Sequence, residues 1–285
     1  MIELTRVRER MDMGRTLGAT VLMLLLVVLA VPGSAGAQAS EPTLGQATTR
    51  GNDEGQTRWS VGVAVISAPR PYVGSDQETQ VIPLVEFDSG RWFVQGIRAG
   101  YRFIDTERFQ LDARVGFRFS GLEPDSSPAL EGMHERRETM VGGIGAEWVL
   151  AEMGSSRLTA QWSALSDLLG RSDGFESSLD LSWQKVLARG KLIVSPAIGV
   201  SYEDADHVSY YYGVRPDEER LGRPAYEGSS VVNPRASMLV SWRFHGPWSV
   251  IALSSFTWLD DPIQDSPIVE KDHEVFYLLG ISYSF

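Results

Sequence analysis

The chain has 285 residues, no cysteine, and 26 Lys and Arg against 37 Asp and Glu. The formal net charge of −11 argues against nucleic acid as a partner, because a polyanion selects basic surfaces. Without cysteine there is no disulfide, no thiolate metal site and no cysteine nucleophile. A hydrophobic fraction of 43% with 10% aromatic residues excludes a mostly disordered chain.

The amino-terminal residues 1–37 are organised like a cleaved secretory signal peptide. Residues 21–31 form an apolar core that Pro32 ends, and Ala35-Gly36-Ala37 fits the small-x-small rule for cleavage. These eleven apolar residues are too few to cross a hydrocarbon core of about 30 Å at about 1.5 Å per residue. We therefore expect removal of this segment rather than a membrane helix. The basic region before the core contains Arg6, Arg8, Arg10 and Arg15.

The next segment, 38–57, contains one leucine among small and polar residues and cannot bury enough apolar surface to offset the entropy of ordering. We expect a flexible periplasmic leader here, followed by a folded domain over 58–285. Translation from Met13 is an alternative start, since Arg15 would still charge the amino end. Removing four Arg and three acids with 1–37 leaves 22 basic and 34 acidic residues, a net charge of −12.

Apolar and polar residues alternate in the rest of the chain, which predicts β-strands with one oily and one polar face. No other stretch approaches the eighteen apolar residues of a membrane helix. The segment 109–120 has the strictest alternation, since its odd positions are apolar and its even positions are polar or glycine. Its oily face contains Phe109, Leu111, Ala113, Val115, Phe117 and Phe119, against Gln110, Asp112, Arg114, Gly116, Arg118 and Ser120.

This period predicts an all-β fold of about twelve strands, with ten as the alternative. The segment 156–168 also fits a helical spacing through Leu158, Trp162 and Leu165, but its alternation favours a strand. The predicted strands are 58–68, 79–89, 91–104, 108–120, 137–151, 156–168, 174–188, 190–203, 207–215, 230–245, 247–260 and 272–285.

Two architectures place alternating strands behind a signal peptide. A soluble sandwich or barrel turns the oily face inward, whereas a membrane barrel turns it to lipid and encloses the charges in its lumen. The polar face mixes arginine with acids, and the chain has 23 Arg but three Lys, which favours the membrane barrel, although a base-composition bias also produces that ratio. Residues assigned to the polar face are Arg98, Arg102, Asp112, Arg114, Arg118, Glu147, Glu176, Asp180 and Arg243.

The last strand gives the most specific signal. Its alternate residues from Val275 to Phe285 are apolar, and a soluble protein rarely ends on an unprotected strand with an exposed aromatic residue. This ending resembles the C-terminal signature of bacterial outer-membrane proteins, in which Tyr283 and Phe285 would be the signal for the barrel-assembly machinery. Since lipid requires every backbone group to be paired internally, we predict a closed antiparallel transmembrane β-barrel, surrounded by outer-membrane lipid in a Gram-negative bacterium.

Aromatic residues lie where predicted strands meet predicted turns, as in the girdle of a membrane barrel. If the first strand begins and the last strand ends on the periplasmic side, all of these aromatic residues would lie at one rim. Edge residues of a soluble sheet are the alternative. The residues are Trp59, Phe87, Trp92, Phe119, Phe175, Phe244 and Trp248.

Four segments of the chain stand out in order and spacing. They are Tyr72-Val73-Gly74-Ser75-Asp76 followed by Val81-Ile82-Pro83-Leu84; Tyr211-Tyr212-Gly213-Val214; Gly222-Arg223-Pro224-Ala225-Tyr226; and Asp265-Ser266-Pro267-Ile268-Val269. In order and spacing, across essentially all of 58–285, these segments resemble the MipA/OmpV family of outer-membrane proteins. The chain departs from the family pattern at Val73, where Pro is usual, at Tyr212, where Phe is usual, and at Arg223, where Leu is usual.

The resemblance implies an outer-membrane barrel, but the family label does not fix one function. One studied member is regarded as a scaffold that joins a murein-degrading lytic transglycosylase to a penicillin-binding murein synthase. Other members are discussed as porins or adhesins. We therefore expect a scaffold or interaction protein for murein enzymes, with a narrow porin-like channel for small solutes or cations, or a surface adhesin, as alternatives.

Three family segments fall in connections predicted to be extracellular, namely 69–78, 215–229 and 261–271. Loop residues often carry function, while the alternative is that Pro, Gly and Asp shape loops that fold into the barrel mouth.

The same strand count places the long connection 121–136 in the periplasm, the reverse of the usual pattern. Either a strand is miscounted or 121–136 is a periplasmic surface for murein enzymes. The remaining extracellular links, 105–107, 152–155 and 189–190, would be short.

Little in the sequence points to catalysis. His273 follows Asp272 near Asp260, Asp261 and Asp265, and His207 lies near Asp204 and Asp206, but a solvated acidic rim explains both groups. No serine motif, phosphate loop or metal-ligand spacing accompanies His134, His207, His245 or His273. Acids such as Asp76 match no calcium loop. We expect no enzyme activity, no cofactor and no metal.

Overall fold

The computed structural model describes residues 58–75, 79–119 and 121–285. The predicted signal peptide and leader, as well as Asp76, lie outside these residues. Within them, twelve antiparallel strands close into a barrel in which each strand pairs with its chain neighbours and β1 pairs with β12. The strands are β1 Arg58–Ser67, β2 Thr79–Asp88, β3 Trp92–Gln95, β4 Arg98–Asp105, β5 Phe109–Arg118, β6 Thr139–Met153, β7 Ser156–Asp167, β8 Phe175–Leu187, β9 Leu192–Glu203, β10 Val231–His245, β11 Trp248–Trp258 and β12 His273–Ser284.

The two faces of the wall follow the predicted alternation. In β12, Tyr277 and Leu279 are exposed on the outside, while Phe276 and Leu278 are buried inside. Segment 156–168 forms β7 as a strand, as predicted. The outer face of the wall is therefore apolar, while the inner face carries both polar and apolar residues. This confirms the predicted closed barrel with its apolar face outward.

The predicted strand 91–104 is wrong, because the chain reverses in its middle. Gly96 adopts a positive φ of 60° in the two-residue turn 96–97, which joins β3 to β4. Glycine reaches this conformation without steric cost, and such turns suit tight hairpins. One predicted strand is thus two short ones.

The predicted strand 207–215 is also wrong, because a helix occupies most of it. Helix α1, Ala205–Tyr212, begins after Asp204, whose side chain accepts a hydrogen bond from the backbone N–H of His207 at 2.9 Å. The helix ends at Gly213, whose N–H donates to Ser209 O at 3.0 Å. A short helix, α2, Asp261–Gln264, follows β11.

The first error adds one strand and the second removes one, so the total stays at twelve. Every strand between the two errors runs in the direction opposite to the predicted one. The connection 121–136 therefore lies at the same end as 69–75, 215–229 and 261–271, not at the end where β1 begins. The short links 105–107, 152–155 and 189–190 lie at the opposite end. We call the two ends the long-loop end and the short-turn end. Of the two explanations offered for the long connection 121–136, a miscounted strand is therefore correct.

The aromatic residues divide between the two ends rather than forming one rim. At the short-turn end, Trp59 contacts Phe87 with ring centroids 4.4 Å apart, and Trp248 contacts Tyr283 at 5.1 Å. Phe119 and Phe175 lie at the long-loop end, because β5 ends and β8 begins there. In the described part of the chain, no helix is both long and apolar enough to cross a membrane.

Candidate functional site: the lumen and its cap

Ion pairs lie in the lumen, as the alternation predicted. Arg114 Nε lies 2.6 Å from Asp112 Oδ1, and Arg102 Nη2 lies 3.0 Å from Asp88 Oδ2. Two further pairs, Arg118 with Glu176 and Arg235 with Asp180, join residues on different strands. These four arginines are therefore neutralised by acids inside the barrel, which a buried charge requires.

Part of the inner face is apolar, which the sequence analysis did not predict. We call this surface the apolar wall. Its side chains come from β1 and the residue after it and from β2, β10, β11 and β12, and they pack together away from solvent. The interior is thus partly apolar rather than filled by ions throughout. The residues are Ala64, Ile66, Ala68, Ile82, Leu84, Leu239, Ile251, Leu253, Phe276 and Leu278.

The connections at the long-loop end fold together into a cap, formed by 68–75, 121–138, 204–230 and 259–272. An apolar cluster draws on all four connections and is almost wholly buried. Such a shared core fixes the connections to each other rather than leaving them as separate loops. It contains Tyr72, Leu122, Leu130, Met133, Val208, Tyr211, Tyr212, Val214, Val231, Leu259, Ile263 and Ile268.

A buried ion pair joins two of the cap connections. Arg136 donates to Glu218 through Nη1 at 2.8 Å and Nη2 at 2.7 Å, and neither side chain is exposed to solvent. Burial alone would raise the pKa of Glu218, but the hydrogen bonds from Arg136 and from the backbone N–H groups of Arg215 and His134 lower it to about 2. Glu218 is therefore held ionised as an acceptor for several donors.

Two further arginines attach the same connections through carbonyl oxygens. Arg220 donates to Pro128 O at 2.6 Å and Ala129 O at 2.8 Å, and Arg223 donates to Ala129 O at 2.8 Å. Arg223 also donates to Glu218 O at 2.8 Å. The departure from leucine at position 223 thus supplies a contact between 121–138 and 204–230.

Helix α1 lies in the cap with one face against the luminal charges. His207 is buried beside Arg118, whose Nη1 lies 2.8 Å from Nδ1, and its ring lies 4.9 Å from that of Tyr211. Burial, and then the positive charge of Arg118, hold the pKa of His207 well below its usual value. His207 is thus a neutral partner in the packing rather than a member of an exposed Asp/His pair.

Several family-segment residues meet inside the cap. The Tyr72 hydroxyl donates to Tyr211 O at 3.2 Å, and Ser266 Oγ donates to Tyr212 O at 2.5 Å. The Tyr226 hydroxyl donates to Pro262 O at 2.7 Å. These contacts hold the connections in place, which agrees with the loop-shaping alternative for these residues.

The other family-segment residues have turn or surface positions. Gly74 has a φ of 67° and its N–H donates to Glu270 Oε2 at 3.2 Å, while Ser75 Oγ donates to Tyr72 O at 3.1 Å. Gly213 ends α1 with a backbone so close to Ser209 O that a Cβ would clash with it. Pro224, Ala225 and Asp265 are exposed and Pro267 is half-buried.

The C-terminal residues complete the barrel closure. Tyr283 pairs with Val61 on β1 and with Trp248 on β11. The N–H of Phe285 donates to Trp59 O at 2.9 Å, while its side chain is 80% exposed. Phe285 therefore contributes little packing to the finished barrel.

The remaining histidines show no catalytic arrangement. His273 Nδ1 lies 2.6 Å from Asp272 Oδ1 and its ring stacks on Phe256 at 4.7 Å, while His134 Nδ1 lies 2.9 Å from Glu218 Oε1. Across the described ranges, no three His, Asp or Glu side chains are grouped to hold a metal ion.

Comparison with known proteins identifies the family. The family model described as "MltA-interacting protein MipA" matches residues 61–285. The chain belongs to the MipA family. The MltA-interacting protein of Escherichia coli K12 is 26% identical over 242 residues, which cover 84% of this chain and 95% of the relative. The outer membrane protein OmpV of Vibrio cholerae is 23% identical over 163 residues, 57% of this chain and 61% of that protein.

Membership of the MipA family agrees with the fold, and the chain is an outer-membrane β-barrel protein. A solved outer-membrane channel from Pseudomonas putida F1 matches 84% of this chain and 100% of its own with a TM-score of 0.45 and 13% identity. The MipA-family relatives carry names of membrane or interacting proteins, not of enzymes.

Proposed function

We propose that this protein is an interaction protein that anchors murein-processing enzymes at the outer membrane, with its barrel as a sealed anchor. The observation that carries the proposal is that ion pairs join strands across the barrel interior and that a buried core holds the cap together at one end. Such an interior suits an anchor better than an open pore. The name of the Escherichia coli relative, MltA-interacting protein, supports a partner of this class.

The partner surface follows from the orientation of the barrel. Outer-membrane barrels keep short turns in the periplasm and long loops outside, so we infer that the short-turn end is periplasmic. The connection 121–136 then cannot meet a murein enzyme, because it is part of the cap at the other end. The surface left for a murein enzyme consists of the turns at the short-turn end, namely 89–91, 106–108, 154–155, 188–191 and 246–247.

In-cell photocrosslinking tests this assignment. A photoreactive amino acid replaces Ser155 or Lys191, which are exposed at the short-turn end, and Leu221, which is exposed at a cap tip, serves as the matched control. We expect a lytic transglycosylase or a murein synthase to be attached from Ser155 or Lys191 and not from Leu221. Attachment from Leu221 alone, or of no murein enzyme from any position, would contradict the proposal.

A narrow channel is a second candidate, favoured by unpaired hydroxyls inside the barrel. The hydroxyl groups of Ser195, Ser201 and Ser255 are buried on the inner face of β9 and β11 without a hydrogen-bond partner among the described residues. Such groups suit a passage for water or a small polar solute. A steady conductance of the intact barrel in planar bilayers would favour this function over the sealed anchor.

A further inference from the structure

Positive charges without acidic partners lie at the short-turn end, on the hairpin of β8 and β9. Lys185 lies near the end of β8, while Arg189 and Lys191 are exposed in the turn that joins the two strands. Among the residues that the structure describes, no carboxylate forms an ion pair with any of the three. Glu152, on the neighbouring hairpin of β6 and β7, is already paired with Arg157 at 2.7 Å. We call Lys185, Arg189 and Lys191 the basic corner.

The turn that carries two of these charges is fixed by hydrogen bonds on both sides. Lys191 N–H donates to Ala188 O at 3.3 Å within the turn, and Arg243 N–H donates from β10 to Lys191 O at 2.7 Å. Ala188 and Arg189 adopt positive φ angles of 50° and 58°, a conformation that glycine reaches more easily than other residues. Residues held in such conformations are often kept for a site rather than for the stability of their turn.

Lys185 belongs to the lipid-facing side of the wall. In the outward row of β8 it comes between Trp183 and Leu187, which are 45% and 41% exposed. Leu187 shares a register row with Leu192 and Trp242, so Lys185 lies one outward position deeper than an aromatic residue of the rim. Such aromatic residues lie at the level of the lipid headgroups, and a flexible lysine at this depth extends its ammonium group to that level.

A lysine in the lipid-facing row requires a counter-charge from its surroundings. A cation on this face of a membrane barrel is destabilising in hydrocarbon, and its cost falls near the interface, where anionic headgroups attract it. Within the described ranges, Lys185 has no carboxylate partner. The phosphate diester of a phospholipid is the anion available at this depth. Since the short-turn end is inferred to be periplasmic, that phospholipid belongs to the inner leaflet.

We propose that the basic corner binds the phosphate group of an anionic phospholipid of the inner leaflet. Lys185 meets the phosphate from the barrel wall, Arg189 and Lys191 meet it from the turn, and the acyl chains lie along the outward row that contains Trp183 and Leu187. A headgroup with a net negative charge, such as that of phosphatidylglycerol, fits better than a zwitterionic one, because the corner offers no acid to pair with an ammonium group. The proposal uses the inferred orientation of the barrel but does not depend on the anchoring of murein enzymes.

Native mass spectrometry of the detergent-solubilised barrel tests this assignment. The barrel is mixed with equal amounts of phosphatidylglycerol and phosphatidylcholine that have the same acyl chains, and heat-modifiable gel migration verifies folding. The test variant is Lys185→Gln/Lys191→Gln, which removes two charges and leaves the positive-φ residues of the turn unchanged. The matched control is Arg91→Gln/Arg108→Gln, which removes two exposed charges from other turns of the same end. The charge-retaining variant is Lys185→Arg/Lys191→Arg.

We expect the parent barrel to retain phosphatidylglycerol in preference to phosphatidylcholine, and the test variant to bind phosphatidylglycerol about tenfold more weakly, since each cation near a membrane surface adds to the attraction of anionic lipid. The control and the charge-retaining variant should bind phosphatidylglycerol like the parent. Equal binding by the parent and the test variant would overturn the proposal, as would an equal loss in the control or in the charge-retaining variant. Displacement of the lipid by an excess of inorganic phosphate would also overturn it, because the corner would then recognise the free anion rather than a lipid.

Discussion

Arg136 is the residue on which the cap depends most clearly. Its guanidinium donates to both carboxylate oxygens of Glu218 and, through Nε, to Tyr210 O at 2.7 Å. Removal of one partner of a buried pair leaves the other charge uncompensated, at a cost of about 3–5 kcal/mol. We expect Arg136→Ala to loosen the cap while the barrel wall stays intact.

Limited proteolysis of the outer-membrane form measures this effect. Arg136→Ala should be cleaved within 215–229 at least several-fold faster than the parent chain, while heat-modifiable migration of the barrel is retained. Arg137→Ala is the control, since Arg137 is exposed and its guanidinium pairs with Glu135, also exposed, at 3.3 Å. Equal cleavage rates for the two variants would show that the Arg136–Glu218 pair does not hold the cap.

Glu218 also makes the cap sensitive to acid. Its pKa of about 2 in the folded cap lies below its usual value of 4.5, so the ionised form is stabilised by folding. This contribution, about 3 kcal/mol for a depression of that size, is complete above pH 4.5 and is lost as the pH falls toward 2. Pepsin cleavage of the cap should therefore accelerate between pH 4.5 and 2. Glu218→Gln should flatten this dependence; an unchanged acid response would refute the assignment.

At the scale of elements, α1 depends on its amino-terminal cap. Asp204 accepts hydrogen bonds from the N–H groups of His207 and Phe175, both at 2.9 Å. Asp204→Ala should destabilise the cap by about 1 kcal/mol, the usual loss for an N-cap residue. Asp206→Ala is the matched control, since Asp206 lies exposed in the first turn. Amide hydrogen exchange over 205–213 measures the difference, and equal exchange in the two variants would contradict the capping role.

Phe285, directly after β12, allows the assembly of the barrel and its stability to be tested separately. Phe285 touches Tyr283 with ring centroids 5.2 Å apart, but most of its side chain is exposed. Phe285→Ala should therefore leave the stability of the purified barrel within about 0.5 kcal/mol, the usual range for a surface substitution. Its yield in the outer membrane should fall several-fold if Phe285 is read during assembly. Normal yield in envelopes, with quantitative immunoblotting as the measurement, would remove this residue from the assembly signal.

The strands could be predicted from the sequence because their signal is local. The alternation predicted for β5, β7, β8 and β12 is present in the structure, since each face meets one environment along its whole length.

The turn at Gly96 and the helix α1 were not predicted, for two different reasons. A single glycine is a weak turn signal inside a long run of strand-like residues, and Val208 with three tyrosines suits a strand by propensity. Asp204 before the segment and Gly213 after it were the helix signals available.

The cap could be predicted only in part. The family segments pointed to 72–76, 211–214, 222–226 and 265–269, and each of these segments contributes at least one residue to the buried cluster of the cap or packs one against it. These residues are Tyr72, Tyr211, Tyr212, Val214, Tyr226, Ile268 and Val269. Arg136 and Glu218 are 82 positions apart and share no motif, so their pairing depends on tertiary folding alone. The end of the barrel at which Arg136 lies was misassigned, because it followed from the order of strands rather than from any residue near Arg136, whereas the connection of Glu218 was assigned to the correct end.

For the whole molecule, the barrel combines two ways of closing its interior. Buried arginines need acidic partners, so ion pairs can occupy the lumen only where strands supply both charges. The apolar wall has no such requirement and packs by contact alone. The cap then covers the long-loop end, and its core is separate from the apolar wall. The ion pairs, the apolar wall and the core of the cap are thus three separate sets of contacts inside the barrel.

The cap also gives the molecule a charged end. Acids outnumber Lys and Arg in 121–138 by five to two, in 204–230 by six to three, and in 259–272 by five to one. We expect the intact barrel to show little steady conductance in planar bilayers, because the cap and the luminal pairs obstruct flow. Loosening of the cap by Arg136→Ala should produce intermittent openings that favour cations, since acids surround the mouth. The sign of the reversal potential in a KCl gradient measures this selectivity, with Arg137→Ala as the closed control. Steady conductance before any substitution, or anion selectivity after it, would show that the cap neither seals the barrel nor sets the field at its entrance.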